Sequence, residues 1–187
     1  LLELADQANP TNTTITTTTA ADAATATDAS SPSLCMAMHI RMTDKGHGRV
    51  KRPLSLFQTY AEAYRPQQTS SSSSSSLVYT AIIYVATDDD RVLEEIQSNW
   101  TLPNGTRLHH QARVHRSRDE KPIFELFRND SHRSNTEALV DIYAMSKCQI
   151  LVHGFSAMAE AALYINPSML SINLDDDDEL FQHHFQS

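Results

Sequence analysis

The fold follows from Met36-Ala-Met-His-Ile-Arg-Met-Thr-Asp-Lys45, which Gly46-His-Gly-Arg49 continues. Apolar residues fill most of residues 34–40 and a turn signal follows them, so this segment predicts a buried β-strand. Polar side chains crowd its carboxyl end, and ligands of open α/β sheets bind just outside that end of a strand. Arg41 as a planar fork and Lys45 as a point charge are suited to binding an anion there. The alternative is a strand end with a solvated charged turn.

Apolar runs farther along the chain predict the other strands of a sheet. Residues 77–87 form the strongest one, because they are nearly continuously apolar and rich in β-branched and aromatic residues. Residues 148–153 and 169–174 predict two more strands. Within residues 105–133, which read as loops flanking a site, we expect a short strand at 112–115.

Helical spacing and capping signals predict helices between these strands. Residues 54–64 have apolar positions at helical spacing, and the carboxylates of 88–90 are suited to cap the next helix. Ser134-Asn-Thr-Glu137 is typical of a capping box, which predicts a helix to about residue 147. Residues 157–165 are good helix formers. The alternation predicts an α/β fold with a Rossmann-like parallel sheet, right-handed crossovers and flanking helices.

Composition and motifs argue against several classes of protein. The formal net charge of −8 argues against a general nucleic-acid binder. No run of 18 or more apolar residues occurs, so no membrane span is expected. There is no Gly-x-Gly-x-x-Gly fingerprint for an ordinary NAD site, and the histidines are not at metal-ligand spacing. The chain begins at Leu1 and not at Met, so we expect a fragment.

The 187 residues suffice for one ordinary domain. We expect residues 34–174 to form it, with a flexible Ser-rich insertion at 67–76. Residues 1–33 are rich in Thr, Ala and Ser and predict a disordered linker. Residues 175–187 predict a frayed acidic tail.

The cysteines and the glycosylation sequons bear on the compartment of the protein. Both cysteines lie in apolar runs, so Cys35 and Cys148 are expected to be buried free thiols, without a disulfide framework or a metal site. Four N-glycosylation sequons are compatible with a secretory lumen: Asn12, Asn99, Asn104 and Asn129.

Three further positions are candidates for a binding site. Ser156 follows a predicted strand and opens a helix, where it is suited to cap the helix, to bind a phosphate, or to do both. Asp141 places a carboxylate beside an apolar helix face, and its alternative role is a solvated helix position. The basic run at 49–52 favours a solvated loop or a contact to phosphate or to an acidic acceptor.

Three blocks of the chain resemble the α-1,6-fucosyltransferases, which attach fucose to the core of N-glycans. His39-x-Arg41-x-Thr43-Asp44-Lys45 resembles their His-x-Arg-Arg-Thr-Asp-Lys motif. Tyr84-Val-Ala-Thr-Asp-Asp89 resembles their Tyr-Leu-Ala-Thr-Asp-Asp segment, and Asp141 falls in a segment similar to their Leu-Asp-Ile. The blocks cover residues 36–49, 82–96 and 137–163 in the family's order.

The resemblance implies the donor-binding, C-terminal lobe of a GT-B fold, with an acceptor-side lobe expected upstream. It implies an inverting, metal-independent transfer of fucose from GDP-fucose to a glycan or glycoprotein acceptor, in the Golgi or secretory lumen and without a cofactor. Arg41 and Lys45 would act on the leaving diphosphate, with Asp141 on the guanine base. The residues that the resemblance assigns to donor binding are His39, Asp44, Asp89, Asp141 and Ser156.

Three positions depart from the family's pattern. The second Arg of the motif is Met42, the Ser-Ser pair is Ser156-Ala157, and a proposed general base, Glu, is Arg49. An Arg cannot accept a proton, so His47 is the candidate in its place. The alternatives are therefore a catalytically degenerate lobe that binds a nucleotide-sugar or a glycan, and a generic α/β module that binds another nucleotide.

Overall fold

The computed structural model describes residues 34–43, 51–65, 81–119 and 121–175. In chain order its elements are β1 (Cys35–Ile40), α1 (Leu54–Ala63), β2 (Ala81–Thr87), α2 (Asp90–Asn99), β3 (Thr106–His110), α3 (Ile123–Leu126), α4 (Ser131–Ser146), β4 (Ile150–His153), α5 (Ala157–Ile165) and β5 (Leu170–Asn173). A 3-10 turn at Arg128–Asp130 joins α3 to α4. No helix in these ranges is long and apolar enough to cross a membrane.

The strands form one sheet in the order β3-β2-β1-β4-β5, and every neighbouring pair is parallel. β1 is the central strand, and its His39 lies beside Ala86 of β2 and His153 of β4. The predicted α/β fold, a Rossmann-like parallel sheet with flanking helices, is confirmed. Because the strands are parallel, their carboxyl ends meet at one edge of the sheet, where ligands bind in such folds.

Helices pack on both faces of the sheet. Met38 of β1 belongs to one apolar cluster, together with Phe57 of α1 and Val92 of α2. Ala37 belongs to a second cluster, which includes Met145 of α4. Since alternate residues of a strand point to opposite faces, β1 has to be apolar almost throughout, as its sequence is.

The structure differs from the prediction in the segment after α2. β3 lies at Thr106–His110, whereas residues 112–115 form no strand. Leu108 is buried and Arg107 is exposed, so β3 alternates between its two faces. Four of its five residues are polar, and β3 therefore lacks the apolar run that identifies the inner strands.

The predicted capping box does not form, because α4 begins at Ser131 and not at Ser134. The two side chains of that motif contact a preceding loop. Ser134 Oγ and His115 Nδ1 share a hydrogen bond of 2.9 Å, and the backbone N–H of His115 donates to Glu137 Oε2 at 2.9 Å. Ser134 and Glu137 therefore attach that loop to α4.

The prediction of free thiols was wrong, because Cys35 and Cys148 form a disulfide. Cys35 begins β1, and Cys148 lies two residues before β4. Parallel pairing of these strands brings the two Cα atoms to 4.6 Å. The link therefore crosses the middle of the sheet, at the end opposite to the carboxyl ends of the strands.

Several predicted segments lie outside the described residues, namely 1–33, 67–76, Asp44, Lys45 and 46–49. The acidic tail lies outside them too, except for its first residue. Asp175 forms three hydrogen bonds: its N–H donates to Asn173 Oδ1, and its carboxylate accepts from Arg52 and from Phe155.

Candidate functional site

A cleft of about 470 Å³ lies at the carboxyl ends of β1 and β2, and we call it the strand-end cleft. α3, the first half of α4 and the start of α5 provide its other walls. Its apolar lining comes mainly from Ile123, Phe124 and Phe127, and its ionisable lining includes His39, Arg41, Asp88, His115, Glu137 and Asp141. A mixed cleft of this size at this edge of the sheet fits a small-molecule ligand.

His39 and Arg41, at the carboxyl end of β1, line the strand-end cleft, as the sequence predicts. His39 is buried, and Arg41 lies just beyond the last residue of the strand. Arg41 Nε lies 3.9 Å from Asp88 Oδ2, and the guanidinium remains partly exposed. Both side chains also line a small second space between β1 and β4, described below.

Asp88 organises the chain that follows β1, a role that the sequence analysis missed. Its carboxylate accepts hydrogen bonds from the backbone N–H groups of Met42 at 2.8 Å and Thr43 at 3.2 Å, and from Thr43 Oγ1 at 2.5 Å. Asp88 follows β2 directly, and β2 runs parallel to β1. Its position could have identified Asp88, because it places a carboxylate directly after β2 and therefore beside the end of the neighbouring strand β1.

Asp89 belongs to α2 and not to the strand-end cleft. Its Oδ1 accepts a hydrogen bond from the N–H of Arg91 at 2.9 Å and so caps the helix, as the acidic run predicts. Burial alone would raise the pKa of Asp89, but hydrogen bonds from Arg91 and the charges of Arg91 and Lys51 bring it below its ordinary value. Asp89 is therefore an ionised helix cap.

Asp141 is buried on α4 and lines the strand-end cleft, so it does not occupy a solvated helix position. The Tyr84 hydroxyl donates to its Oδ1 at 2.6 Å. Burial raises the pKa of Asp141 to about 6, although the Tyr84 hydrogen bond and the charge of Arg116 oppose that rise. Within the described residues Oδ2 accepts no hydrogen bond, so this oxygen can accept one from a ligand.

The buried network below Asp141 includes Tyr84 and Arg116. Burial and the neighbouring carboxylate raise the pKa of Tyr84 well above its ordinary value, so its hydroxyl remains a donor. Arg116 is almost completely buried and donates from Nε to the carbonyl of Thr87 at 3.2 Å and from Nη2 to that of Gln111 at 2.6 Å. These contacts fix Arg116 beneath the cleft, where its charge favours the ionised form of Asp141.

His115 is a second cleft residue that the sequence analysis did not identify. Its ring stacks on Phe127 with centroids 3.9 Å apart. Carboxylate oxygens of Glu137 and Asp130 lie 3.6 Å from Nδ1 and 3.5 Å from Nε2. Both ring nitrogens of His115 therefore lie beside carboxylate oxygens. No motif joins these residues in sequence, so only the fold brings them together.

Ser156 caps α5, and its Oγ accepts a hydrogen bond from the N–H of Met158 at 3.2 Å. It lines a narrow space between the carboxyl ends of β1 and β4, which we call the β1–β4 crevice. The crevice has a free volume of about 10 Å³ and is lined by His39, Arg41, Arg52, Phe57, Gly154, Phe155 and Ser156. His39 and Arg41 thus border both spaces.

The structure brings four of the predicted site residues together at one edge of the sheet: His39, Arg41, Asp141 and Ser156. Asp89 lies apart as a helix cap, and Asp44 and Lys45 lie outside the described residues. In the described part of the chain, no group of three or more His, Cys, Asp or Glu side chains is arranged to hold a metal ion.

Comparison of the chain with models of known protein families and with curated proteins found no match.

Proposed function

We propose that this chain is the donor-binding lobe of a glycosyltransferase that binds GDP-fucose and transfers fucose to a glycan. One observation supports the proposal most strongly: the carboxylate of Asp141 and the guanidinium of Arg41 line the same cleft at the carboxyl end of the sheet. A guanine nucleotide has hydrogen-bond donors at one end and anionic phosphates at the other. In the cleft, Asp141 offers a carboxylate for the base and Arg41 offers a guanidinium for the phosphates.

The guanine base is placed at Asp141. An ionised carboxylate is an acceptor only, so it pairs with the N1–H and the exocyclic amine of guanine but not with the matching edge of adenine. Phe124 lies in the wall of the same cleft and is 64% exposed, so its ring provides a face on which a base can stack. Asp141 therefore favours guanine over the other bases, whereas stacking on Phe124 would be open to any base.

The diphosphate is placed at Arg41. As the bond between fucose C1 and the β-phosphate breaks, its electron pair goes to the leaving GDP, and a fixed guanidinium stabilises the growing negative charge. The acceptor hydroxyl forms the new bond to C1 on the opposite face and gives up its proton. We assign that proton to His115, whose imidazole lines the cleft and can serve as a general base.

A lobe that binds a nucleotide-sugar or a glycan without turnover is the second candidate. Arg49 and Met42, which replace a carboxylate and a cation of the resembled motif, favour it. We place either activity in the Golgi or secretory lumen. The Cys35–Cys148 disulfide supports that location, because disulfides persist in oxidising compartments. Neither candidate calls for a metal or an organic cofactor.

The test is calorimetric titration of GDP, ADP and UDP into the full chain and two variants. We expect GDP to bind most tightly. Arg41→Ala should weaken all three nucleotides by roughly tenfold or more, the value of a lost charge-assisted hydrogen bond. Asp141→Asn should weaken GDP selectively, because an amide cannot accept from both guanine donors.

Matched controls come from exposed charges outside the cleft. Arg118 pairs with Asp90 and Glu94, and Asp119 pairs with Lys121. Arg118→Ala and Asp119→Asn should leave the affinity for GDP unchanged. A folded protein that binds no nucleotide would exclude the proposal. Selective GDP binding without fucose transfer would favour the second candidate.

A further inference from the structure

Two residues that line the β1–β4 crevice hold a carboxylate of the same chain. Asp175 follows β5, and its Oδ1 accepts a hydrogen bond from Arg52 Nε at 2.7 Å. Its Oδ2 accepts one from the backbone N–H of Phe155, in the turn before α5. An anionic group therefore already occupies the donors at this edge of the crevice.

Gly154 allows the carboxylate to come this close. A Cβ at this position would lie 3.0 Å from Asp175 Oδ2 and 3.8 Å from Arg52 Cγ. Any side chain at residue 154 would therefore crowd the carboxylate, whereas glycine leaves the turn open to an anion. The sequence Gly154-Phe-Ser156 is thus suited to anion binding by its shape as well as by its hydrogen-bond donors.

The groups that hold Asp175 are also those that bind phosphate. A guanidinium binds carboxylates and phosphates with similar geometry, and the N-terminus of a helix such as α5 favours negative charge. Arg41 lines the same crevice and gives it a second guanidinium. The remaining volume of about 10 Å³ has room for about one water. A phosphate can therefore enter only if the Asp175 carboxylate leaves Arg52 and Phe155.

We propose that the β1–β4 crevice is a diphosphate-binding site and that Asp175 is its built-in competitor. Arg41 and Arg52 are the two guanidinium groups of this site. Met42, which stands at the second Arg of the resembled motif, has no charge to contribute. An anion tethered within the chain competes at a high effective concentration and so lowers the apparent affinity for a diphosphate. The identity of the diphosphate as part of a nucleotide rests on the proposed function. The anion site itself is independent of that function.

Pyrophosphate tests the anion site without a nucleoside. It is titrated calorimetrically into the full chain and into Asp175→Asn, which keeps an acceptor for the Phe155 N–H but removes the charge. Asp175→Asn should bind pyrophosphate about tenfold more tightly, since its competitor has lost its charge-assisted hydrogen bond. Arg52→Ala should bind about tenfold more weakly, and Arg52→Lys should recover part of the loss. Arg118→Ala is the matched control.

The competing explanation is that Asp175 merely fastens β5 to the turn before α5. In that case folded Asp175→Asn would bind pyrophosphate no better than the unmodified chain, and that result would overturn the proposal. Absence of pyrophosphate binding to both proteins at millimolar concentration would overturn it as well. If pyrophosphate behaves as expected but GDP shows no preference over ADP, the anion site stands and the proposed function does not.

A measurement on the unmodified chain keeps the test independent of how the variants fold. The backbone amide of Phe155 is followed by ¹⁵N NMR during a pyrophosphate titration. We expect its resonance to shift as a phosphate oxygen replaces Asp175 Oδ2. Binding that leaves the Phe155 amide unmoved would place the anion elsewhere and overturn the proposal.

Discussion

Asp141 is a buried carboxyl group with a raised pKa, and this makes the stability of the protein depend on pH. Its pKa rises from 3.8 to about 6 in the folded state, so the native chain binds more protons than the unfolded chain between these values. Stability therefore falls as the pH increases through this window. The asparagine of Asp141→Asn does not titrate in this range. When the pH is raised from 4 to 7.5, the free energy of unfolding of Asp141→Asn should therefore increase by about 1–3 kcal/mol relative to that of the unmodified chain. Urea unfolding at both pH values checks this, and a difference that does not vary with pH would contradict it.

The same titration should control guanine recognition. Guanine offers two donors, which an ionised Asp141 can accept and a protonated one cannot. GDP affinity should therefore be complete above the folded pKa of about 6 and decline below it. Tyr84→Phe removes a hydrogen bond that lowers this pKa, so the midpoint should move to higher pH. Calorimetry across pH 5–8, with ADP as the control, would refute this if both nucleotides lost affinity in parallel.

His115 should matter for transfer and not for binding. If it takes the proton of the acceptor hydroxyl, His115→Gln should lower kcat by about 100-fold or more and leave GDP affinity nearly unchanged. His132, an exposed histidine outside the strand-end cleft, provides the matched control His132→Gln. Fucose transfer and GDP titration are measured on both variants. Loss of GDP binding in His115→Gln would point to a structural role for the ring.

β1 and β4 are joined at their beginnings by the Cys35–Cys148 disulfide, across a separation of 113 residues. A long loop closed by a disulfide restricts the unfolded chain, and such links typically contribute about 2–4 kcal/mol. Adding a reductant should therefore lower the free energy of unfolding by about this amount. Cys35→Ser/Cys148→Ser should show the lower stability with or without reductant. Equal urea midpoints for the oxidised and reduced protein would contradict the prediction.

The inner strands are predicted well because their residues are buried on both sides of the sheet. β1, β2 and β4 are apolar runs because helices pack on both faces of the sheet. β3 is at the edge, with a single apolar residue, and its strand character depends on pairing with β2. The start of α4 was misplaced because Ser134 and Glu137 satisfy His115 of a preceding loop, a tertiary contact that local sequence does not encode.

The site residues, like the secondary-structure elements, divide into those marked by local sequence and those that depend on tertiary contacts. Arg41 was identified from a local motif, and Asp141 was identified as a carboxylate beside an apolar helix face. The fold brings both residues to one cleft. Asp88 and His115 act through partners on other elements, so no spacing in the sequence marks them. The disulfide was missed for a related reason, because adjacency of β1 and β4 depends on the strand order.

At the scale of the whole molecule, three of the sequons lie within the described residues and are exposed: Asn99, Asn104 and Asn129. Asn129 lies next to Arg128, which lines the strand-end cleft. If the protein matures in the secretory lumen, expression with a eukaryotic signal peptide should yield N-glycans at one or more of these sites. Mass spectrometry before and after glycosidase treatment checks this. An unmodified mass for the secreted, oxidised protein would speak against that compartment.

The strand order also determines when the sheet can be completed during synthesis. β4 is made more than a hundred residues after β1, yet the two strands are neighbours in the sheet. A nascent chain that has paired only β1, β2 and β3 leaves one edge of β1 without a partner, which is a site for mispairing with other chains. The Cys35–Cys148 disulfide likewise cannot form until Cys148 is made. We therefore expect that edge of β1 to be the part of the nascent sheet most prone to mispairing until β4 is made.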